Sequence, residues 1–66
     1  MSVAKNVEIS ATSEESFEDA IRQGVARATK NTRNIRGAWI KEQEVEVSDN
    51  QISLYKVVMV VTFVLE

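Results

Sequence analysis

The end of the chain, from Tyr55 to Leu65, is a run of β-branched, aliphatic and aromatic residues without glycine or proline. Such a run is typical of a β-strand, in which side chains point alternately to two faces. One face would carry Tyr55, Val57, Met59, Val61, Phe63 and Leu65, and the other Lys56, Val58, Val60, Thr62 and Val64. Both faces are largely apolar and need cover, but a chain of 66 residues can supply only one covering layer. The pattern therefore predicts that copies of the same chain supply the second layer.

A strand and a helix are predicted upstream. Polar and apolar residues alternate from Val3 to Ala11, as in a strand with one buried face. Thr12 followed by Glu15 is a capping-box pattern, so we expect a helix to begin there and to fade around Asn31 to Asn34. Gly24 weakens a helix interior by about 1 kcal/mol relative to Ala, which a close approach of helix and sheet would explain. The apolar stripe of the helix comprises Phe17, Ala20, Ile21, Gly24, Val25 and Ala28.

A second strand, Ile35 to Val47, is joined to the last one by Ser48-Asp49-Asn50-Gln51, a polar turn that predicts a β-hairpin with a loop of about four residues. The order β-α-β-β indicates one α+β domain, residues 1–66, in which a three-stranded antiparallel or mixed sheet wraps around one helix. The helix crossover makes the first two strands parallel, and the last strand lies between them, antiparallel to both. Alternation assigns Trp39, Lys41, Gln43, Val45 and Val47 to one face of the second strand and Ala38, Ile40, Glu42, Glu44 and Glu46 to the other.

One face of this sheet is expected to meet the helix through Met59 and Phe63, which leaves the opposite face bare. That bare face would carry Ile52, Leu54, Lys56, Val58, Val60, Thr62 and Val64 from the last strand and Trp39, Lys41, Val45 and Val47 from the second. Apolar patches of several hundred Å² are rarely left in water, and apolar burial is worth roughly 25 cal/mol per Å². The bare face therefore predicts a homo-oligomer.

Composition narrows the classes of function. The net charge is −2 and the sequence pI is about 5.1, so nucleic acid is not an expected partner. The absence of Cys and His excludes disulfides, thiolate metal sites and the most common general base. Because the sequence has neither a nucleophile–base pair nor a glycine-rich phosphate loop, we expect no enzyme. It has no signal-peptide pattern and no apolar run of the ~20 residues that a membrane helix needs, so we expect a cytoplasmic protein without a membrane partner.

Short motifs spread over nearly the whole chain resemble those of the dodecin family. The strand–helix junction Glu8-Ile9-Ser10-Ala11-Thr12-Ser13 is similar to the E-x-x-x-T-S of dodecins. Further similar segments are Phe17-Glu18-Asp19-Ala20-Ile21, Ala26-Arg27-Ala28, Arg33-Asn34-Ile35-Arg36 and Tyr55 to Glu66. The resemblance implies the same β-α-β-β protomer and a hollow homododecamer with tetrahedral symmetry. It also implies a protein that stores or quenches a flavin, such as riboflavin or FMN, rather than one that uses the flavin in catalysis.

The resemblance also implies where a ligand would bind, since family members stack flavins in pairs between tryptophans at two-fold contacts. Aligned without gaps, the stacking Trp of the family falls on Gly37, and the flavin-contacting Gln falls on Lys56. Trp39 lies two residues downstream, on the same predicted face as Gly37. The candidate ligand-binding residues are therefore Gly37, Trp39 and Lys56. Two alternatives stay open, because Trp39 can serve in plain interface packing and Lys56 in a salt bridge between chains.

Some dodecin-like proteins lack the flavin pair and are linked to calcium instead, and the segments Asn34-Ile35-Arg36 and Ile40 to Glu44 are more similar to that branch. The calcium ligands of that branch cannot be carried over residue by residue. Carboxylates at Glu42, Glu44 and Glu46 share one strand face at spacings of about 6.6 Å, and Ca²⁺ prefers oxygen ligands. These three residues are the candidate metal ligands, unless they form a solvated hairpin end. A flavin-free shell with a structural or calcium-binding role is the second functional interpretation.

Overall fold

The structure, a computed structural model, describes residues 2–65. Its elements are β1 (Val3–Ser13), α1 (Phe17–Asn31), β2 (Ile35–Ser48) and β3 (Gln51–Leu65). β3 is the central strand of a sheet with the order β1-β3-β2, and both neighbours run antiparallel to it. The predicted β-α-β-β order and α+β fold class are therefore confirmed. No helix within residues 2–65 combines the length and the apolar character that crossing a membrane requires.

The core lies between α1 and the β1–β3 half of the sheet. Its buried members are Ala20 of α1 and Val57, Met59 and Val61 of β3, with Ile9, Ala11, Phe17, Ile21, Val25, Ala28 and Ile35 packed around them. A Cβ atom added to Gly24 would lie 2.7 Å from Cε of Met59 and 3.3 Å from Cβ of Ala11. Helix and sheet therefore approach each other closely at Gly24, as its place in the apolar stripe predicted.

The helix begins later than the capping pattern predicted. β1 continues through Thr12 to Ser13 in its ladder with β3, and the N-cap of α1 is Ser16. Oγ of Ser16 accepts a hydrogen bond of 2.9 Å from the backbone N–H of Asp19. The assignment of Thr12 and Glu15 to a capping box is thus wrong. A similar pattern, Ser16 followed by Asp19, lies four residues later and caps the helix. Thr12 pairs with Lys56 in the β1–β3 ladder instead.

The hairpin loop is shorter than the expected four residues. Ser48 already pairs with Gln51, so only Asp49 and Asn50 remain in the turn. Their φ angles are 53° and 63°. Two successive residues with positive φ are the pattern of a type I′ hairpin turn, and Asp and Asn adopt that conformation more readily than other non-glycine residues.

Lys41 is an extra residue in β2. Ile40 pairs with Met59 and Glu42 pairs with Val58, so the pairing register shifts across Lys41. Because directly paired residues share a face of the sheet, this bulge moves the residues after it to the face opposite to the one that strict alternation assigns. The face prediction is therefore wrong for Gln43, Val45 and Val47, which lie on the helix side, and for Glu42, Glu44 and Glu46, which lie on the side away from the helix.

The chain is too extended to bury its apolar residues alone. Its radius of gyration is 13.6 Å, against about 11 Å for a compact domain of this length. Its accessible surface is 4984 Å², against about 4,200 Å² for a compact protein of this mass. Residues 46–54, which we call the tip hairpin, form only two strands, and an isolated two-stranded hairpin is marginally stable in water. The exposed large apolar side chains are Val3, Val7, Trp39, Ile40, Val45, Val47, Ile52 and Leu65.

Candidate functional site

The face of the sheet turned away from α1, which we call the open face, is built by all three strands. Its members follow from the pairing register, because directly paired residues share a face. They are Ala4, Asn6, Glu8, Ser10 and Thr12 of β1, Gly37, Trp39, Glu42, Glu44 and Glu46 of β2, and Leu54, Lys56, Val58, Val60, Thr62 and Val64 of β3. No helix or strand within residues 2–65 covers this face.

Trp39 presents a flat aromatic surface at the β2 edge of the open face. It pairs with Val60 of β3, and Val60 pairs on its other side with Glu8 of β1. Half of Trp39 is exposed, whereas only 8% of Val60 is. Gly37 lies next to Trp39 on the same face, opposite Thr62, and a Cβ atom added to Gly37 would have no atom within 4 Å. The indole therefore borders an open space. The prediction that Gly37 and Trp39 share a face is confirmed.

Two polar contacts cross the sheet beside Trp39. Nζ of Lys41 donates a hydrogen bond of 2.8 Å to Oε1 of Glu8, and this contact raises the pKa of the Lys41 ammonium above its ordinary value. Oγ1 of Thr62 donates a hydrogen bond of 2.8 Å to Oδ1 of Asn6. Sequence reasoning missed both contacts, although alternation had placed Asn6 and Glu8 on the polar side of β1. The partners are 33 and 56 positions apart, and no local pattern connects them.

Lys56, the third predicted ligand-binding residue, stands apart from the other two. It lies between Thr12 and Glu44 in the sheet. Four residues separate it from Val60, the partner of Trp39, which corresponds to about 13 Å along a strand. Within one chain, the structure thus brings Gly37 and Trp39 together and keeps Lys56 in a separate part of the open face.

The three candidate metal ligands form a row along β2. The bulge at Lys41 turns Glu42, Glu44 and Glu46 to the open face, with Glu44 directly opposite Lys56. Among residues 2–65, no three acidic side chains lie close enough together to hold a metal ion. A calcium site built on this row would therefore need oxygen atoms from a second chain, and the metal-binding role of the row stays a prediction.

The buried polar side chain within the described part of the chain, Ser13, belongs to the start of the helix. Its Oγ donates a hydrogen bond of 2.6 Å to Oδ2 of Asp19 and accepts one of 2.9 Å from the backbone N–H of Glu15. The hydrogen bond from Ser13, followed by the one from Gln23, lowers the pKa of the Asp19 carboxyl group. These groups satisfy one another, so Ser13 has a structural role at the cap.

Comparison with known proteins supplies a family. A family model described as Dodecin matches residues 3–66. The dodecin of Thermus thermophilus is 39% identical over 64 residues, which cover 97% of this chain and 93% of that protein. The resemblance seen in the short motifs is thus confirmed over almost the full length of the chain.

Solved structures agree in fold as well as in sequence. The crystal structure of a mutant of the T. thermophilus dodecin superposes with a TM-score of 0.94 at 38% identity, covering 100% of this chain and 98% of that one. The calcium dodecin of Mycobacterium tuberculosis, described as a calcium-chelating antigen with a calcium-binding site, superposes with a TM-score of 0.83 at 32% identity, covering 97% and 91%. The chain belongs to the dodecin family.

Proposed function

We propose that this protein is a non-catalytic, self-assembling binding protein. Copies of the chain associate through their open faces into a hollow homododecamer, and a flavin or another planar aromatic ligand binds against Trp39. The observation that carries this proposal is the half-exposed indole beside the empty space at Gly37, on a face that the chain leaves uncovered. Aromatic rings stack on such a surface with offset geometry.

A second chain is needed to complete the site. Among residues 2–65, no helix or strand faces the indole of Trp39 from the other side. Ligand pockets bury most of the surface of a bound molecule, so one chain forms only half of such a pocket. Two open faces that meet about a two-fold axis would set two Trp39 side chains near each other, because a two-fold interface uses the same patch on both partners. A planar ligand between them would be enclosed on both sides.

The departures from the family pattern define the chemistry of this version of the site. Gly37 replaces a stacking ring by open space, and Lys56 replaces a neutral amide by an ammonium group. In family members with a Trp at the place of Gly37, a ligand stacks between two such rings. A ligand that stacks on Trp39 alone gains less from aromatic contacts. Lys56 supplies a positive charge on the open face, which suits a ligand with a phosphate, such as FMN, when a neighbouring chain brings that charge close.

The experiment combines assembly and binding. Sedimentation of the purified protein should give a species of twelve times the 7.4 kDa chain mass. Trp39 is the single tryptophan of the sequence, so quenching of its emission on titration with riboflavin or FMN reports on this site. Trp39→Leu should weaken riboflavin binding by at least about tenfold, measured through the fluorescence of the flavin. Ile52→Ala, at an exposed apolar residue of the tip hairpin, should leave riboflavin binding unchanged.

The outcomes separate the parts of the proposal. A folded single chain at low concentration would refute the assembly and everything built on it. An intact assembly that quenches neither riboflavin nor FMN would refute the flavin site and leave the shell.

The second candidate function is a flavin-free shell that binds calcium. It is favoured by the row of Glu42, Glu44 and Glu46 on the open face and by the likeness to a calcium dodecin. Calorimetric titration of the assembly with Ca²⁺ should then give heat that Glu44→Gln removes, with Glu14→Gln as the matched control. Absence of heat, together with an unchanged melting temperature, would exclude the calcium role.

A further inference from the structure

A second cavity lies on the opposite side of the sheet from Trp39, between the C-terminal half of α1 and the β1 edge. Its volume is about 430 Å³, within the range of small-molecule pockets, which is roughly 300–1,000 Å³. The floor and the helix wall of the cavity are apolar and consist of Val7, Ile9, Val61, Phe63, Gly24 and Ala28.

The cavity exists because the side chains under this part of the helix are small. At Gly24 the helix touches the sheet, so that even a methyl group would meet Met59 at 2.7 Å. One turn later, Ala28 lines the cavity with only a methyl group as its side chain. Val7 consequently remains 39% exposed in a position that faces the helix side of the sheet.

The rim of the cavity is polar and carries a positive charge. Arg27 and Asn31, one helical turn apart, lie along the rim, near Thr32. Among residues 2–65, no carboxylate lies within ion-pair distance of Arg27, whereas Arg22 pairs with Glu18. A guanidinium group without an anionic partner beside an apolar pocket favours a ligand with an apolar body and a carboxylate end, since Arg binds carboxylates through paired hydrogen bonds.

We propose that this cavity binds a small amphiphilic carboxylate. The apolar body of the ligand packs on Val7, Phe63 and Ala28, and its carboxylate accepts hydrogen bonds from Arg27, with Asn31 as a further donor. This site lies on the helix side of the sheet and is separate from the open face, so its occupancy does not depend on what binds to Trp39.

The test uses the full chain in its assembled form and decanoate as the probe, below the concentration at which decanoate forms micelles. Calorimetry should show saturable binding of decanoate, and much weaker binding of acetate, which has no apolar body, and of decanol, which has no charge. Arg27→Gln should weaken decanoate binding about 10- to 100-fold, as expected for the loss of hydrogen bonds to a charged group. Lys30→Gln, a matched change on the same helix outside the cavity lining, should leave binding unchanged.

Filling the cavity provides an independent test. Val7→Phe adds volume at an exposed floor residue, and should abolish decanoate binding while riboflavin quenching of Trp39 stays as in the unchanged protein. If decanoate gives no saturable heat, or if Arg27→Gln binds it as tightly as the unchanged protein, the proposal is wrong. A cavity already occupied by a side chain of a neighbouring copy would produce the first of these results.

Discussion

Lys41 of β2 hydrogen-bonds Glu8 of β1 across the full width of the central strand, with 2.8 Å between Nζ and Oε1. Lys41 is the extra residue of β2 and reaches the open face, where Glu8 also points. It ties the two edge strands together over Val60, which is 8% exposed although no helix or strand within residues 2–65 covers that face.

Removal of this ion pair should have an effect that depends on pH. The raised pKa of Lys41 means that its contribution to stability is fully present below the ordinary Lys value of 10.5 and is lost as the pH rises through the higher folded-state value. Lys41→Met should therefore lower the urea midpoint at neutral pH, and the difference from the unchanged protein should shrink above pH 10.5. Both side chains are about half exposed, so about 1 M salt, with a Debye length of about 3 Å, should also shrink the difference. A difference that stays constant with both pH and salt would show that the lysine stem acts only through packing.

Asp19 should make the start of the helix sensitive to acid. Hydrogen bonds from Ser13 and Gln23 lower the pKa of its carboxyl group, so its contribution is present above the ordinary Asp value of 3.8 and is lost as the pH falls through the lower folded-state value. Asp19→Asn should lower the thermal midpoint at neutral pH and have little effect at the acid end of the stability curve. The exposed residue Glu14 offers the control: Glu14→Gln should leave the midpoint near its original value at every pH.

Gly24 should resist substitution despite its low helix propensity. Gly24→Ala gains about 1 kcal/mol of helix propensity, but the new methyl group meets Cε of Met59 at 2.7 Å in a fully buried position. Overpacking typically costs about 1–3 kcal/mol, so we expect a net destabilisation of about 1 kcal/mol in urea titrations at fixed protein concentration. Met59→Leu removes the atom that clashes, and the double variant should recover part of the loss. Additive effects of the two substitutions would contradict the assigned contact.

The positive φ of Asn50, the second residue of the hairpin turn, should limit the stability of the protein. Asn50 has a φ of 63°, a conformation that costs most L-residues roughly 1–2 kcal/mol and costs glycine nothing. We expect Asn50→Gly to raise the melting temperature and Asn50→Ala to lower it, with the order of the three variants as the measured result. Gln51→Ala, at the adjacent strand residue, is the matched control and should change the melting temperature little.

Gly37→Trp should be tolerated by the fold and should raise the affinity of the protein for flavin. Its added Cβ atom would meet no atom within 4 Å, and its backbone φ is not positive, so a large side chain can enter without strain in the chain itself. Gly37→Trp combined with Lys56→Gln restores both groups of the family pattern, and should tighten riboflavin binding about 10- to 100-fold, the contribution of one stacked aromatic contact. Gly37→Leu adds apolar volume without a ring and serves as the control. Equal riboflavin affinity in the Trp and Leu variants would argue against stacking at this position.

Local patterns were enough for much of the fold. The alternation in the last strand identified Met59 as a residue that faces the helix, and the same argument placed Trp39 and Gly37 on one face. The spacing of the apolar stripe indicated that Gly24 faces the sheet, where the helix comes close to Met59. These inferences succeeded because side-chain direction within a regular strand or helix depends only on residue number.

The remaining features depend on which backbone groups pair over long distances in the chain. Thr12 and Ser16 both match an N-cap pattern, and the choice between them depends on how far β1 pairs with β3. The single extra residue at Lys41 reverses the faces of the glutamates that follow, because a one-residue change of register exchanges the two sides of a strand. The amino-acid pattern thus accounts for the order of the elements and for the strongly apolar central strand. The polar groups beside Trp39, and the cavity behind them, arise only when strands far apart in sequence are brought side by side.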